Sequence, residues 1–286
     1  MPAHRKWALI LGASSGFGAA TARAFAKKGV HIIGVHLDRK ATMYLVDELT
    51  QEIEGAGVQA WFINRNAANP DDIEAILDQV HERFARDSDD TIVAIMHSLA
   101  FGSLMPFITP DMTGTLKPKQ ISMTLEVMAN SLVYWVQGVI RRSMMESGGR
   151  VFAMTSSGGR RIIPKYGAVS AAKAALESHV RQLGYELGPL GITANAICGG
   201  VTDTYALRKI PGNRKLRQDA IERNPHHRMG TPDEVAQVIV GMCDPAFAWV
   251  NGSVVYADGG EDAVATGTPI AELREMGFEI PDLESE

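Results

Sequence analysis

Cysteine, long apolar runs and strong net charge are all scarce in this chain. Cys198 and Cys243 are the two cysteines of its 286 residues, too few and too far apart for a disulfide framework or a zinc site. No stretch approaches the roughly 18 uninterrupted apolar residues of a membrane span. The apolar run near the N-terminus passes directly into glycines, which predicts a buried strand rather than a signal peptide. A reducing cytoplasm is therefore the expected location.

The mild acidity of the chain, a formal net charge of −5, argues against nucleic acid as its main partner. The composition is 45% hydrophobic and 21% charged, which is ordinary for a globular chain. Apolar runs rich in Val and Ile alternate with amphipathic helical patterns along most of the sequence. This alternation predicts an α/β fold, a parallel sheet with helices on both faces.

Two segments stand outside the alternation. Residues 205–230 are a polar insertion between the sixth predicted strand and the next helix, and residues 265–286 form an acidic tail. No repeat or low-complexity linker divides the remainder, so we expect one domain over residues 1–264 that includes the insertion.

The first predicted strand is followed by a glycine-rich turn, LGASSGFG. Its spacing, G-x3-G-x-G, lets the backbone turn tightly and approach a pyrophosphate on the free N–H groups of the next helix. A simple turn is the alternative, but the place at the first strand-to-helix crossing favours nucleotide binding. The candidate cofactor-binding residues of this turn are Gly12, Ser14, Ser15, Gly16, Phe17 and Gly18.

The end of the second strand indicates which nicotinamide cofactor binds. An acidic side chain there binds the ribose 2′-OH of NAD, whereas a basic one accommodates the 2′-phosphate of NADP. The expected position holds His36, and Asp38, Arg39 and Lys40 follow. We predict that Arg39 and Lys40 bind the phosphate of NADPH. In the alternative, both are solvated charges and Asp38 binds the ribose of NADH.

The chain resembles the short-chain dehydrogenases/reductases over residues 5–262, nearly its whole length. The resemblance rests on GASSGFG, on the pair Asn66-Ala67 after the third strand, on the helix with Tyr166 and Lys173, and on NAICGGVTDT and YADGG. It implies a Rossmann-type, doubly wound parallel sheet of seven strands in a single domain. It also implies a homotetramer packed through two long helices.

Two departures from the usual pattern of that family narrow the resemblance. The fourth strand ends in HSLAFG rather than Asn-Asn-Ala-Gly, and YGAVSAAK has the spacing Tyr-x6-Lys rather than Tyr-x3-Lys. Both features are similar to the enoyl-[acyl-carrier-protein] reductases of bacterial fatty-acid synthesis, in particular their NADPH-using branch. Many of those enzymes have a second tyrosine ten positions before the first, where this chain has Ser156.

This resemblance implies a role for each candidate catalytic residue. Tyr166 is expected to stabilise the enolate oxygen that develops on a thioester, Lys173 to bind the nicotinamide ribose, and Ser156 to assist at that oxygen or to shape the pocket. The substrate implied is an enoyl thioester on acyl carrier protein. The other predicted cofactor contacts are Asn66, Ala67, Ser98, Leu99, Gly199, Val201, Thr202 and Thr204.

The seven-residue spacing has a physical interpretation. Seven helical residues are about two turns, so Tyr166 and Lys173 would share a face and stand roughly 10 Å apart along the axis. In ketone reduction, hydride and proton reach adjacent atoms. In enoyl thioester reduction, the charge develops two carbons beyond the carbon that takes the hydride. We expect the longer spacing to set the donor back from the nicotinamide by that distance.

The insertion is predicted to be a substrate lid with mobility at residues 211–214. Its apolar early part, with Tyr205, Leu207 and Ile210, would suit an acyl chain, and its basic part an acidic carrier protein; a solvated helix of mixed charge is the alternative. The basic residues are Arg208, Lys209, Arg214, Lys215 and Arg217.

Two other functions remain open at this stage. A carbonyl, 3-ketoacyl or hydroxysteroid reductase is compatible with TSSGG and with the non-acidic His36. A nucleotide-binding regulator without catalysis is disfavoured because Tyr166, Lys173 and Ser156 are all present. His97 is expected to be a structural hydrogen-bonder, and Asn130 is assigned no role.

Overall fold

The computed structural model describes residues 5–87, 90–208, 210 and 212–280. Within these ranges, seven strands form one sheet. They are β1 Lys6–Leu11, β2 His31–His36, β3 Ala60–Asn64, β4 Thr91–His97, β5 Arg150–Thr155, β6 Thr193–Cys198 and β7 Val254–Tyr256. All neighbours pair in parallel, in the order β3-β2-β1-β4-β5-β6-β7, which confirms the predicted doubly wound sheet.

Helices connect the strands and cover both faces of the sheet. They are α1 Gly16–Ala26, α2 Met43–Gly55, α3 Pro70–Asp87, α4 Pro118–Leu125, α5 Ser131–Arg141, α6 Gly167–Leu187, α7 Tyr205–Arg208, α8 Asn213–Arg223, α9 Pro232–Gly241 and α10 Ile270–Glu275. A π-helical segment, Glu126–Asn130, joins α4 to α5. Together, α4, the π-helical segment and α5 extend from Pro118 to Arg141. None of the described helices is long and apolar enough to cross a membrane.

Residues of β1 alternate between two apolar cores because successive strand side chains point to opposite faces. Leu9 and Leu11 belong to the core that α3, α5 and α6 cover, whereas Ala8 and Ile10 belong to the core under α1, α2 and α9. All four side chains are fully buried. Both faces of the sheet are thus closed to solvent at β1.

The order of the strands reverses between β1 and β4, which creates a crevice at the carboxyl edge of the sheet. The turn after β3 is held at this edge from both sides. Asn69 caps α3, since its Oδ1 accepts from two backbone N–H groups of the first turn (2.9 and 3.1 Å), and Pro70 is the first residue of the helix. The indole N–H of Trp135 on α5 donates to the carbonyl oxygen of Ala67 at 2.7 Å.

The tail lies on the insertion of its own chain. Backbone N–H groups of Thr268 and Ile270 donate to Glu222 of α8, at 3.0 and 3.1 Å. Phe278 packs edge-on against His227, with ring centroids 4.5 Å apart. The tail therefore covers α8. Lys209, Pro211 of the loop predicted to be mobile, and the acidic residues beyond position 280 lie outside the described residues.

Candidate active site

The glycine turn after β1 is too tight for side chains at two of its positions. A Cβ added at Gly12, whose φ is +84°, would lie 2.6 Å from the carbonyl oxygen of Ser98, and one at Gly18 would lie 2.0 Å from the carbonyl oxygen of Gly12. Ser15 precedes α1 without a side-chain cap bond within the described ranges, and the first turn of α1 carries no acid. The N–H groups of that turn are therefore available to an anion. The turn fits the pyrophosphate of a dinucleotide.

The segment after β6 lies over the start of α1. The methyl group of Thr204 is 3.5 Å from the position of a Cβ at Gly16, and the ring of Phe17 is 3.0 Å from that of a Cβ at Gly199. The Thr204 hydroxyl accepts from the N–H of Leu207 at 3.2 Å, so its own proton remains to be donated. These contacts bring together the predicted cofactor residues from two distant parts of the sequence.

Asp38 occupies the end of β2 as an ionised group. Its carboxylate accepts from Thr42 at 2.9 Å and lies 3.0 Å from Nδ1 of His36. Partial burial raises the pKa of Asp38, but hydrogen bonds from Ser14, Thr42 and His36 outweigh burial and leave this pKa below its usual value. The sequence did not indicate the bond between Asp38 and Ser14, which joins the second strand to the glycine turn.

Arg39 and Lys40, the predicted phosphate ligands, are both exposed. Their side chains form no ion pair within the part of the chain that the structure describes. They remain available to a phosphate, while the neighbouring carboxylate remains available to a ribose hydroxyl. Both of the predicted alternatives therefore keep their binding groups.

The residues that follow β3 and β4 form one edge of the site. The side chain of Asn66 accepts from the N–H of Ala68 at 3.0 Å, and Ala67 is buried against α5. The N–H of Ser98 donates to the carbonyl oxygen of Leu11 at 2.8 Å, which holds Ser98 and Leu99 against the glycine turn. The predicted contacts Asn66, Ala67, Ser98 and Leu99 thus line one edge.

His97 is buried and uncharged. Its Nε2 lies 2.9 Å from the hydroxyl of Ser131 on α5. Burial, with a further contribution from the charge of Lys173, lowers the pKa of His97 to about 3. At neutral pH it orients the end of β4 and carries no charge. Asn130, on the π segment, donates to Glu126 at 2.9 Å and lies 3.1 Å from Nε2 of His179.

Tyr166 stands at the entrance of α6 rather than inside it, which corrects the helix start predicted at this residue. Its φ and ψ are −95° and 5°, and its carbonyl oxygen accepts from the N–H of Ser170 at 2.8 Å. The preceding Lys165 has a φ of 65°, a left-handed conformation that ends any earlier helical turn. Tyr166 therefore still precedes Lys173 by about two helical turns. The orientation of its ring, however, does not follow from the geometry of the helix.

The phenol of Tyr166 is protonated at neutral pH. Burial raises its pKa above the usual value near 10, and a hydrogen bond with the Ser156 side chain opposes that rise only in part. The ring packs on Gly158, where an added Cβ would lie 2.7 Å from the nearest ring carbon. The hydroxyl of Ser156 also accepts from the N–H of Gly158 at 3.1 Å. Tyr166 is therefore a hydrogen-bond donor with Ser156 beside it.

Lys173 is buried, with a relative exposure of 6%. Its Nζ donates to the carbonyl oxygen of Met154, in β5, at 2.6 Å. Burial lowers the pKa of Lys173 to about 8. The ammonium group is charged below pH 8 and loses its proton as the pH rises through this value.

The loop after β6 contains a contact that the sequence did not indicate. The N–H of Val201 donates to Oε2 of Glu261 at 2.9 Å, and Arg223 of α8 forms an ion pair with the same carboxylate at 3.2 Å. Gly200 lies against it with a φ of 66°, and Thr202 is buried with its hydroxyl on the carbonyl oxygen of Gly199 at 3.0 Å. Glu261 therefore joins the loop predicted to bind the nicotinamide to α8.

Apolar side chains stand next to Tyr166. The ring of Phe107, from the long loop between β4 and α4, lies 2.4 Å from the position of a Cβ at Gly167. Phe101 and Ile108 lie in the same loop, and Ile162 lies in the loop between β5 and α6. Their side chains are exposed to 62%, 73% and 100%. An apolar substrate portion would find contacts there.

Part of the predicted basic surface of the lid is paired with acids. The guanidinium of Arg208 binds both carboxylate oxygens of Asp203, at 3.0 and 2.9 Å. Lys215 forms an ion pair with Asp219 at 3.1 Å, one turn away on α8. The segment thus has features of both predicted alternatives. No group of residues within the described ranges has the composition and proximity to hold a metal ion.

Comparisons with known proteins identify a matching family and several relatives of this chain. A family model described as Enoyl-(Acyl carrier protein) reductase matches residues 12–261. The 1-cyclohexenylcarbonyl-CoA reductase of Streptomyces collinus is 28% identical over 265 residues, which cover 92% of this chain and 89% of that protein. The 7alpha-hydroxysteroid dehydrogenase of Escherichia coli (strain K12) is 25% identical over 255 residues, with coverage of 89% and 93%.

The fold is shared with solved structures. The enoyl-[acyl-carrier-protein] reductase (NADH) from Aquifex aeolicus VF5 superposes with a TM-score of 0.78 over 91% of this chain and 98% of that chain, at 23% identity. At this level of identity the likeness bears on the fold alone.

The tight turn yields a first prediction. Gly18→Ala should raise the dissociation constant of the nicotinamide cofactor by at least about tenfold, since the added Cβ forces the turn away from its pyrophosphate-binding shape. Fluorescence titration of the cofactor measures the change. Gly55→Ala is the matched control, because a Cβ there meets no described atom within 4 Å; equal effects of the two substitutions would contradict the assignment of the turn.

Proposed function

The chain belongs to the short-chain dehydrogenase/reductase family that the Enoyl-(Acyl carrier protein) reductase model describes, and we propose that it reduces the trans-2 double bond of enoyl thioesters on acyl carrier protein. The family fold binds NAD or NADP, and the chain is an oxidoreductase of this type. The observation that carries the proposal is the protonated Tyr166 beside Ser156, with Lys173 buried seven positions later.

The residues of the site divide the work of this reaction. Bound NADPH supplies the hydride that adds to the β-carbon of the enoyl group. Tyr166 donates a hydrogen bond to the thioester oxygen, on which the displaced electron pair accumulates as an enolate, and the α-carbon then takes a proton from solvent water. The Lys173 ammonium binds the nicotinamide ribose and adds positive charge next to the developing oxyanion.

Two similarities support reduction of a carbon–carbon double bond over reduction of a ketone. The Streptomyces collinus relative is named for an unsaturated acyl thioester, 1-cyclohexenylcarbonyl-CoA. The chain also has HSLAFG and Tyr-x6-Lys in place of the common family pattern. Against this stands the hydroxysteroid dehydrogenase among the relatives, together with Ser156 at the place of a second tyrosine. A carbonyl or hydroxysteroid reductase is therefore the second candidate.

The substrate range tests the proposed reaction. Oxidation of NADPH is followed with a trans-2-enoyl thioester on acyl carrier protein, its coenzyme A analogue, a 3-ketoacyl thioester and a steroid ketone. We expect turnover of the enoyl thioesters alone. Turnover of the ketones alone would contradict the proposal and favour the second candidate.

The division of roles gives a second prediction. Tyr166→Phe should lower kcat by about 10²–10³ with little change in cofactor affinity, because it removes a donor to the developing oxyanion. Lys173→Ala should weaken cofactor binding by about ten- to a hundredfold, the effect of losing a hydrogen bond from a charged group. Steady-state kinetics and cofactor titration separate the two effects.

The control for the tyrosine is Tyr185→Phe, since Tyr185 lies on the same helix and is 81% exposed. The roles would be refuted if both site substitutions reduced cofactor binding equally.

NADPH is the proposed cofactor, because Arg39 and Lys40 are exposed next to the end of β2 and form no ion pair among the residues that the structure describes. The double substitution Arg39→Ala with Lys40→Ala should raise KM for NADPH by at least about tenfold and leave KM for NADH unchanged, since only NADPH carries the 2′-phosphate. Kinetics with both cofactors measure this. Arg86→Ala, an exposed arginine of the last turn of α3, is the control. A wild-type preference for NADH that Asp38→Asn abolishes would show the opposite assignment.

A further inference from the structure

Three consecutive residues at the end of β5 each hold one polar side chain of α6 or of its entrance. The pairs are Met154 with Lys173, Thr155 with Glu177, and Ser156 with Tyr166. The first and last of these pairs include the candidate catalytic residues. The middle pair has no role in the mechanism above, although it lies between them.

Glu177 is a carboxylate in the protein interior. Its relative exposure is 7%, and its Oε1 accepts from the hydroxyl of Thr155 at 2.7 Å. It follows Lys173 by four residues, so the two side chains are neighbours on one face of α6. A buried carboxylate is tolerated only when hydrogen bonds or an opposite charge compensate for the lost hydration. Thr155 and Lys173 provide both.

We propose that Glu177 is a positioning residue for the reaction: held by Thr155, its carboxylate supplies the negative charge that favours the protonated form of Lys173, while the carbonyl oxygen of Met154 holds the ammonium group at the end of β5. The inference rests on the proposed role of Lys173 at the nicotinamide ribose. Because Met154 and Thr155 are adjacent in β5, one short stretch of strand sets the positions of both the ammonium group and its counter-charge.

The other titratable groups around Lys173 are uncharged or lie beyond Glu177. Among the described residues, β4 contributes His97, which burial keeps neutral, and β6 contributes Cys198, whose pKa burial raises to about 11. Tyr166, at the entrance of α6, keeps its proton. Arg160, after β5, interacts with Glu177 from the other side. Near pH 8, Glu177 is therefore the group whose negative charge favours the charged lysine.

The pH dependence of cofactor binding tests the proposal without any acyl substrate. The dissociation constants of NADPH and, in parallel, NADH are measured by fluorescence between pH 6 and pH 10. In the wild-type protein, we expect affinity to fall as the pH rises through about 8, where Lys173 loses its proton. Glu177→Gln should move this midpoint down by about one pH unit, the effect of removing one nearby opposite charge.

Two further variants make the result specific. Thr155→Val should move the midpoint in the same direction by less, because the carboxylate stays but loses its donor; it also tests the proposal if Glu177→Gln does not fold. Glu186→Gln removes the same charge from an exposed position of α6, roughly 20 Å along the helix from Lys173, and should leave the midpoint unchanged.

Two outcomes would overturn the proposal. One is a wild-type affinity that does not change through pH 8. The other is a Glu177→Gln or Thr155→Val protein that has a lower Tm but an unchanged midpoint, which is the result of a structural role alone. If the protein did not reduce enoyl thioesters, the pH midpoints of cofactor binding would be unaffected. The two proposals can therefore be refuted independently.

Discussion

The buried ammonium group of Lys173 is the constraint on which the arrangement of the site depends. A charge with 6% exposure is costly unless its surroundings compensate for lost hydration. The ammonium group donates a hydrogen bond to the carbonyl oxygen of Met154 at 2.6 Å, and this bond fixes the position of α6 against β5. Burial keeps the neighbouring His97 and Cys198 uncharged, so neither adds a second charge to the interior. The polar pairs along β5 follow from this single requirement.

The glycine turn after β1 depends instead on the absence of side chains. At Gly12 and Gly18 the backbone of one segment occupies the place where a Cβ would stand on another. The turn after β1 therefore meets the end of β4 by main-chain contact, whereas the side chains of Thr204 and Phe17 join it to the segment after β6. The carboxylate of Glu261 continues this contact outward, because it joins the N–H of Val201 to Arg223 on the lid helix. The segment after β6 and α8 are thus joined through one carboxylate.

The sequence predicts the features that have a local cause. The seven strands follow from the alternation of apolar runs, and the start of α3 from Asn69 and Pro70. Features that depend on contacts between distant residues could not be predicted: the bond of Thr155 to Glu177, that of Val201 to Glu261, and the tail packed on α8. The helix spacing itself offered a signal for Glu177, four residues after Lys173.

Local geometry also set limits within the predicted helices. The stretch YGAVSAAK was predicted to be helical from its first residue, but the left-handed Lys165 leaves Tyr166 as the residue before the helix. A π-helical segment interrupts the helix that begins at Pro118. Both are backbone irregularities without a side-chain pattern, and the first of them places Tyr166 before the first turn of α6.

Transfer of deuterium from 4-deuterated NADPH tests most directly that Tyr166 serves an enolate rather than a ketone. The cofactor is incubated with a trans-2-enoyl thioester in one reaction and a 3-ketoacyl thioester in another, and the products are analysed by NMR. The proposed mechanism predicts deuterium at the β-carbon of a saturated acyl thioester in the first reaction and no product in the second. Deuterium on the carbinol carbon of a 3-hydroxyacyl thioester, with the enoyl thioester unchanged, would contradict it.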